Sequence, residues 1–305
     1  MVSEQLILLD SAVAKINLAL EVVGRHDIKY HAVKTILQTI GIRDIIEIRH
    51  CNRLKVKCDI PSISQSNNLV WHAAQKLADR AGIQPQAQII INKQIPIGMG
   101  LGGGSSDAAA ALLALNNFWE LHLEPIELLK IAKELGSDVP FFLKGGTALG
   151  ENRGELITQL PDLPPLELLL ICPNQTIPNK TSTLYSQLTA SNFSDGGITT
   201  RMVSSLLTRQ LPIDIIFNVF ESIAFQNFPV LTNIFQLIEE NIYSRPHLWG
   251  SGPAIFSLPS NRTEFDQLSS CLRNSDCVVY FTNCIESKDV QYRSINSENC
   301  RSWIP

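Results

Sequence analysis

The chain has 305 residues, of which 45% are hydrophobic and 18% are charged. This composition is typical of a folded globular protein, and the length favours two domains over one. The formal net charge is −4. Because the sequence also lacks a long basic block, it argues against nucleic acid as a partner.

The sequence also argues against a membrane protein and against a metal site built from side chains. No run of about 18 apolar residues occurs, and the first ten residues lack the basic segment of a secretory signal. The seven cysteines are scattered without the spacing of zinc ligands. We therefore expect reduced thiols, no protein metal site, a cytoplasmic location and no membrane partner. For the oligomeric state, we expect a monomer or a homodimer.

The first third of the chain contains strand patterns and one clear helix pattern. Residues 6–24 are rich in β-branched and apolar side chains, which predicts one or two strands. We expect a helical or irregular stretch over 32–41 and a strand over 44–50. A helix over 67–81 places apolar residues on one face and begins at Asn68 or at the asparagine before it, both of which are good N-caps.

A glycine-rich turn separates the next strand from two further helices. Residues 87–95 predict a strand, and the serines and aspartate at 105–107 are expected to cap an alanine-rich helix. A second helix begins at Pro125, a favourable first helical position, and ends before Gly136. Asp138 then interrupts an apolar stretch, and we expect it at the edge of a strand.

The second half of the chain alternates strand and helix patterns. The proline-rich segment 161–165 marks a domain boundary, a buried strand is expected over 166–172, and the polar stretch 186–201 is expected to be a loop. The later patterns predict helices at 200–209, 214–225, 230–242 and 263–273 and a strand at 277–282. Together these elements indicate an α+β protein with domains at 1–162 and 163–305.

The turn over residues 96–106, P-I-G-M-G-L-G-G-G-S-S, carries the main functional signal. Glycines allow positive φ angles and a close approach of the backbone, so several N–H groups can point at the same ligand oxygens. The N-terminus of the following helix adds partial positive charge, and the serines add hydroxyl donors. We therefore predict a phosphate-binding site formed by Pro96, Gly98, Gly100, Leu101, Gly102, Gly103, Gly104, Ser105 and Ser106.

Two other phosphate motifs fit this turn less well. A Walker P-loop requires a lysine directly before its serine or threonine, and none precedes Ser105 or Ser106. The spacing Gly98-x-Gly100-x-x-Gly103 does satisfy a dinucleotide-binding pattern, which also requires an acid at the end of a second strand. The acids at the expected distance fall at the end of a helix, so a dehydrogenase is the weaker interpretation.

Three segments together resemble the GHMP kinase superfamily. They are A-V-A-K-I-N-L-A-L at 12–20, the glycine-rich turn continued through Ala110, and G-S-G-P-A-I-F at 250–256. A fourth segment, L-G-S-D-V-P-F-F at 135–142, resembles a narrower group within that superfamily. The resemblance extends from about residue 11 to residue 285. It implies a two-domain GHMP kinase fold with the active site in the cleft between the domains, ATP as the phosphoryl donor, and Mg²⁺ to neutralise phosphate charge.

The same resemblance assigns catalytic roles outside the turn. Lys15 and Asp138 match the catalytic pair of the family, with Asp138 as the base that takes the proton of the acceptor hydroxyl and Lys15 holding both in register. Asn68 matches a position beside the base or ribose of ATP. The Gly250–Gly252 turn would support the ATP site from the second domain.

The acceptor is expected to be a small molecule that carries a cytidine diphosphate group. The resemblance assigns Asn17 to polar groups of this substrate, Tyr30 and Tyr185 to the two faces of its cytosine, and His31 to the cytosine edge. Stacking between two aromatic rings suits a flat base, and an imidazole can donate or accept a hydrogen bond.

The sequence departs from the family pattern at three places, and two alternatives stay open. Val13 stands where proline is usual, Ile28 and Lys29 replace Asp-Gly before Tyr30, and Trp249 replaces a small residue. One alternative is another GHMP kinase, of the homoserine or mevalonate type, although the predicted aromatic pair favours a nucleobase. The other is a non-catalytic nucleotide-binding protein of the same fold, although mere binding needs no catalytic pair.

Overall fold

The computed structural model describes most of the chain. The described residues are 8–25, 30–61, 63, 67–175, 177–241, 245–273 and 275–290. They form eleven β-strands and ten α-helices, which confirms the predicted α+β class. Two of the departures from the family pattern, Ile28 and Lys29, lie outside the described residues.

The first part of the chain supplies most of one large sheet and four helices. Its elements are β1 (Leu8–Arg25), β2 (His31–Arg49), β3 (Lys55–Cys58), α1 (Leu69–Ala81), β4 (Gln88–Asn92), α2 (Gly103–Phe118), α3 (Pro125–Leu135), α4 (Val139–Phe142), β5 (Thr147–Asn152) and β6 (Leu156–Gln159). The second part contains β7 (Glu167–Pro173), α5 (Lys180–Ser186), α6 (Gly197–Leu206), β8 (Phe217–Asn218), α7 (Glu221–Asn227), α8 (Pro229–Asn241), β9 (His247–Leu248), β10 (Ile255–Ser257), α9 (Arg262–Leu272), β11 (Cys277–Asn283) and α10 (Ser287–Val290).

The long strands β1 and β2 form the centre of a seven-stranded sheet. They pair antiparallel over nearly their whole length, and β8 adds a short parallel partner to the other edge of β1. The free edge of β2 has room for two partners, β5 along 33–38 and β4 along 45–49. The pairing of β1 with β2 shifts register after Val13 and again after Asn17. Such irregularities redirect side chains, and these two flank Lys15.

Strand β2 shows that one prediction from the sequence was wrong. Residues 32–41 were expected to be helical or irregular, and they form the first half of this strand. The stretch from Thr35 to Ile40 is continuously buried, because Leu37 packs against the helices on one face while Ile36 and Ile40 pack into a second core on the other. A strand covered on both faces lacks the alternation that identifies a half-exposed strand.

A second, four-stranded antiparallel sheet has the order β11-β7-β10-β9. Its strand β7 confirms the predicted strand over 166–172. The side chains of β7 alternate between two cores: Leu168 and Leu170 join the core shared with the seven-stranded sheet, and Leu169 and Ile171 join the core beneath α7 and α8. The two sheets are therefore held together mainly by apolar packing, which is the dominant favourable contribution to folding.

Helices α1 and α3 begin where the sequence predicts. The Asn68 side chain accepts a hydrogen bond of 2.9 Å from the backbone N–H of Val70, so Asn68 is the N-cap of α1. Pro125 is the first residue of α3, and Gly136 follows its last residue. In both cases the signal is local, because a cap depends on a few adjacent residues.

Helix α2 begins at least three residues earlier than a cap at its serines indicates. Gly102 adopts a left-handed conformation with φ of 74° and serves as the N-cap, so the helix starts at Gly103. The prediction that Ser105 and Ser106 cap the helix was therefore wrong, because both lie inside its first turn. The alanines that follow, at 108–111, are all fully buried, which lets α2 pack closely on the sheet and on α1.

The placement of Asp138 at a strand edge was also wrong. Asp138 is the N-cap of the short helix α4, whose residues Val139–Phe142 are all buried. Proline at 140 lies in the first turn of this helix, where its missing N–H costs nothing and its fixed φ favours helical geometry. The acid is therefore held at the start of a helix rather than in a strand.

The second half of the chain mixes confirmed and wrong predictions. Helices α8 and α9 and strand β11 confirm the expected elements. The segment 214–225 was expected to be one helix, but it contains a 3₁₀ turn, the short strand β8 and most of α7. Helix α6 begins inside the expected loop. Glu21, far away in the sequence on β1, accepts a 2.7 Å hydrogen bond from the N–H of Thr199 and so stabilises the first turn of this helix.

None of the described helices combines the length and the apolar character needed to cross a membrane.

Trp249 fills the core between the two sheets. Its side chain is fully buried and packs edge-to-face against Phe256, with 5.9 Å between the ring centroids and an interplanar angle of 82°. Its indole Nε1 is also buried, and the described residues offer it no hydrogen-bond partner. The large residue at this position therefore contributes packing, while its polar atom opposes burial.

Substitutions of Trp249 should separate these two effects. We expect Trp249→Ala to lower the free energy of unfolding by about 3–5 kcal/mol, because it leaves a large cavity. Trp249→Phe should cost less than about 1.5 kcal/mol, because it keeps an aromatic ring and removes the unpaired N–H. Urea denaturation measures both, with Leu156→Ala on the exposed side of β6 as the control. A Phe variant as unstable as the Ala variant would show that the indole N–H is bonded in the folded state.

Candidate active site

The glycine-rich turn lines a cavity of about 290 Å³ at the end of β4. Most of the residues predicted to bind ATP are at its wall, namely Asn68, Pro96, Gly98, Gly100, Leu101, Gly102, Gly103 and Gly104. Ser105 and Ser106 lie in the first turn of α2 outside this lining. The cavity therefore combines glycine backbone with the N-terminus of a 16-residue helix, which favours an anion.

The turn is attached directly to the strand that carries Lys15. The backbone N–H of Lys15 donates a 3.1 Å hydrogen bond to the carbonyl of Leu101. A Cβ atom at Gly102 would lie 2.7 Å from Phe142 and 3.2 Å from the Lys15 side chain. Only glycine fits at this close approach with a positive φ, so the turn, Lys15 and α4 have a fixed relation.

Lys15 and Asp138 form an ion pair beside the turn. The Lys15 Nζ lies 3.8 Å from Asp138 Oδ2; the ammonium end is nearly buried, whereas the carboxylate is 41% exposed. Lys15 also donates a 2.9 Å hydrogen bond to Asn17 Oδ1, and the Asn17 amide donates one of 2.7 Å to Thr35 Oγ1. The Lys15 side chain is thus held in place by Asn17 and Thr35, and the Asp138 carboxylate remains accessible to a ligand.

The Gly250–Gly252 turn covers the other side of Lys15. A Cβ atom at Gly250 would lie 3.2 Å from Asn17 Oδ1 and 3.8 Å from the Lys15 Nζ. The Gly252 carbonyl lies 3.1 Å from the position that a Cβ would take at Gly100, so this turn also contacts the glycine-rich turn. Three of the segments singled out in the sequence therefore meet around one ammonium group.

His31 and Tyr185 stack on each other at the far end of the site. Their ring centroids are 5.2 Å apart with an interplanar angle of 29°, and Tyr185 also packs edge-to-face on Phe220. Burial, and secondarily the charge of Asp138, raises the pKa of Tyr185 to about 12. Burial, and secondarily the charge of Arg25, lowers the pKa of His31. Both rings are therefore neutral near pH 7, and the buried His31 Nε2 has no partner among the described residues.

Tyr30 lies apart from this stacked pair. It is 49% exposed, and the guanidinium carbon of Arg153 lies 5.2 Å from its ring centroid. The structure brings His31 and Tyr185 together and places Tyr30 at the surface beside them. The role of Tyr30 as one face of a cytosine site stays a prediction.

A buried charge cluster at the base of the glycine-rich turn was not expected from the sequence. Lys93 pairs with Asp44 of β2 and, at 2.7 Å, with Asp107 of α2. Burial opposes the charge of Lys93, but the two carboxylates outweigh it and raise the pKa of Lys93 above its usual value. One ammonium cannot neutralise two carboxylates, so burial and the charge of Asp44 raise the pKa of Asp107 despite the pairing with Lys93. The partners are 49 and 14 residues from Lys93, and no local pattern links them.

A second lysine near the Lys15–Asp138 pair was also not singled out from the sequence. Lys180, the first residue of α5, contacts Ser251 in the third glycine segment. The sequence analysis assigned no element to its segment, and the one available signal was its position five residues before Tyr185.

Comparison with known proteins agrees with this geometry. Residues 68–146 match the family described as GHMP kinases N terminal domain. A 4-diphosphocytidyl-2-C-methyl-D-erythritol kinase of Dehalococcoides mccartyi is 36% identical over 84% of this chain and 91% of its own length. The enzyme of the same name from Listeria welshimeri is 36% identical over 88% of this chain and 94% of its own length.

Solved structures show the same fold. A crystal structure of 4-(cytidine 5′-diphospho)-2C-methyl-D-erythritol kinase superposes with a TM-score of 0.76 at 28% identity, covering 91% of this chain and 99% of that chain. A homoserine kinase from Cytophaga hutchinsonii superposes with a TM-score of 0.70 at 18% identity, covering 93% of this chain and 99% of that one, which supports the fold alone. With relatives above 30% identity along most of its length, the chain belongs to the 4-diphosphocytidyl-2-C-methyl-D-erythritol kinase family of the GHMP kinases.

Proposed function

We propose that this protein transfers the γ-phosphoryl group of ATP to the 2-hydroxyl of 4-diphosphocytidyl-2-C-methyl-D-erythritol, a step of non-mevalonate isoprenoid precursor biosynthesis. The observation that carries the proposal is the Lys15–Asp138 pair directly beside the glycine-rich turn. A phosphate cavity alone indicates only nucleotide binding, whereas a carboxylate next to it supplies a base for a hydroxyl acceptor.

Phosphoryl transfer depends mainly on alignment and on stabilising charge. In the proposed reaction, the backbone of the turn and the N-terminus of α2 bind the ATP phosphates. Asp138 accepts the proton of the acceptor hydroxyl, and its exposed carboxylate is accessible for this. Lys15, fixed by Asn17 and Thr35, holds the carboxylate and the attacking oxygen in register and stabilises the negative charge that develops on that oxygen.

We further propose Mg²⁺ as the ion that accompanies ATP and neutralises charge on its β- and γ-phosphates. The described residues contain no group of three or more His, Cys, Asp or Glu that could hold a metal ion. This agrees with an ion carried by the nucleotide, because Mg²⁺ keeps several waters and binds substrate phosphates with few protein ligands.

The proposed acceptor site lies along His31 and Tyr185. Two neutral aromatic rings suit the face of a cytosine, and an imidazole such as that of His31 can donate or accept a hydrogen bond at the polar edge of the base. Tyr30 is near enough in sequence to close over the base from the surface. Asn17, assigned to polar groups of the substrate, already bonds Lys15 and Thr35, so we propose that it acts on the substrate mainly by holding Lys15.

We also propose that the domain boundary falls near residue 162. Six of the seven strands in the large sheet come before this point, and all four strands of the second sheet come after it. The exception is β8, which returns to pair with β1.

The direct test is an ATP-consumption assay with the purified protein and 4-diphosphocytidyl-2-C-methyl-D-erythritol. We expect turnover that requires Mg²⁺ and yields a product phosphorylated at the 2-hydroxyl, detected by ³¹P NMR. Parallel assays use mevalonate and homoserine as acceptors. Turnover with either of these, and none with the cytidylated compound, would contradict the proposed substrate while leaving the kinase assignment intact.

Substitution of Asp138 tests the base. We expect Asp138→Asn to lower kcat at least about 100-fold, because general-base catalysis contributes about 10²–10⁴-fold, while ATP affinity stays nearly unchanged. The matched control is Asp79→Asn at an exposed position near the end of α1. Turnover of Asp138→Asn close to that of the control would remove Asp138 from the base role.

Substitutions of Tyr185 test the acceptor site. Tyr185→Ala should raise KM for the cytidylated substrate about tenfold or more, because stacking on a base is worth about 1–3 kcal/mol, with a much smaller effect on KM for ATP. Tyr185→Phe retains the ring and should leave both values within about threefold of wild type. Equal increases in both KM values for the Ala variant would indicate a folding defect instead, which the unfolding midpoint from circular dichroism would report.

A further inference from the structure

A second ammonium group lies next to the catalytic lysine. Lys180 is partly buried at the start of α5, and its Nζ lies 3.5 Å from Ser251 Oγ. The neighbouring Thr181 hydroxyl lies 2.8 Å from the same Ser251 Oγ, which fixes the start of α5 to the third glycine segment. Gly250, one residue earlier, lies close enough to Lys15 that a Cβ atom there would be 3.8 Å from the Lys15 Nζ. Lys15 and Lys180 therefore both lie beside the same short turn.

Helix α5 borders the reacting groups along its length. Lys180 at its first position experiences the charge of Lys15, and Tyr185 on its next turn experiences the charge of Asp138. The helix thus runs from the phosphoryl-transfer pair to the aromatic rings of the proposed cytosine site. Any substrate that spans these two points passes Lys180.

The charges around Lys180 do not balance. Lys15 on β1 is the charged group that acts on Lys180, and Lys15 is itself paired with Asp138. Among the described residues, no carboxylate forms an ion pair with Lys180. Burial, and then the charge of Lys15, lowers the pKa of Lys180 to about 8. Placing two ammonium groups together is unfavourable unless an anion joins them.

We propose that Lys180 is a substrate-contacting residue of the phosphoryl-transfer site, where its ammonium binds phosphate oxygens between Lys15 and the Gly250–Gly252 turn. The inference rests on the proposed kinase function. Phosphate oxygens reach this place from two sources, the transferring group of ATP or the diphosphate of the acceptor. Either would supply the missing negative charge and accept a charge-assisted hydrogen bond from Lys180.

Three variants test the proposal: Lys180→Met, Lys180→Arg, and Lys130→Met as a control at an exposed position on α3. We expect Lys180→Met to lower kcat/KM about tenfold or more, and Lys180→Arg to recover most of the loss because it keeps the charge. A fall in kcat with both KM values unchanged identifies the transferring phosphoryl as the ligand, whereas a rise in KM for the acceptor alone identifies its diphosphate. Kinetics of Lys180→Met within twofold of Lys130→Met would overturn the proposal.

The pH profile provides a readout that a merely structural lysine would not change. Because the pKa of Lys180 is lowered to about 8, the free enzyme loses this positive charge as the pH rises through that value. Wild-type kcat/KM, which reports the free enzyme, should therefore fall above pH 8. Lys180→Arg should remove this decline, because a guanidinium stays charged throughout the range. A decline of the same size in the Arg variant would contradict the assignment.

Equilibrium binding separates failure of this proposal from failure of the proposed function. Titration calorimetry with CDP and with ATP requires no turnover, so it remains informative even if the cytidylated substrate is not phosphorylated. We expect Lys180→Met to weaken at least one of the two ligands about tenfold, with Lys130→Met unchanged and equal unfolding midpoints. Unaltered binding of both, together with unaltered kinetics, would assign Lys180 a structural role only.

Discussion

The buried contact of Asp44 with Lys93 is the constraint on which the geometry of the site depends. The Asp44 carboxylate accepts hydrogen bonds of 2.6 and 2.7 Å from the N–H groups of Gln94 and Ile95, just before the glycine-rich turn. Lys93 links the same carboxylate to Asp107, the fifth residue of α2, just after the turn. Both ends of the turn are thereby fixed to β2. Breaking such a buried pair costs about 3–5 kcal/mol, because it leaves an uncompensated charge.

Because both ends of the glycine-rich turn are fixed, the positions that its central residues can take are restricted. It closes over β1, where the Leu101 carbonyl accepts the N–H of Lys15, and Gly102 packs against Phe142 of α4. Since α4 begins directly after Asp138, the same contact that positions the phosphate cavity also positions the proposed base. The geometry of the proposed catalytic pair is therefore a consequence of how the turn packs, and the glycines are needed for close approach as much as for flexibility.

Prediction from the sequence succeeded where the signal is local and failed where it comes from elsewhere in the fold. Asn68 and Pro125 mark helix starts through a few adjacent residues, and both were confirmed. The first half of β2 was missed because burial on both faces removes its alternation. The start of α6 was placed too late because its first turn is bound by a glutamate 178 residues away. Within the site, resemblance assigned Lys15 and Asp138 to the proposed catalytic pair. Lys93 and Lys180 were not assigned, because no sequence pattern connects them to the residues that they contact.

The site divides recognition between two kinds of chemistry. At one end, Lys15, Lys180 and the N-terminus of α2 place positive charge against a single exposed carboxylate, in a protein whose net charge is −4. At the other end, burial lowers the pKa of His31 and raises that of Tyr185, so both rings stay uncharged near pH 7. A ligand that matches both ends has polyanionic phosphate at one and a flat neutral ring at the other. A cytidine diphosphate derivative has this form, whereas mevalonate and homoserine have no ring to place against Tyr185.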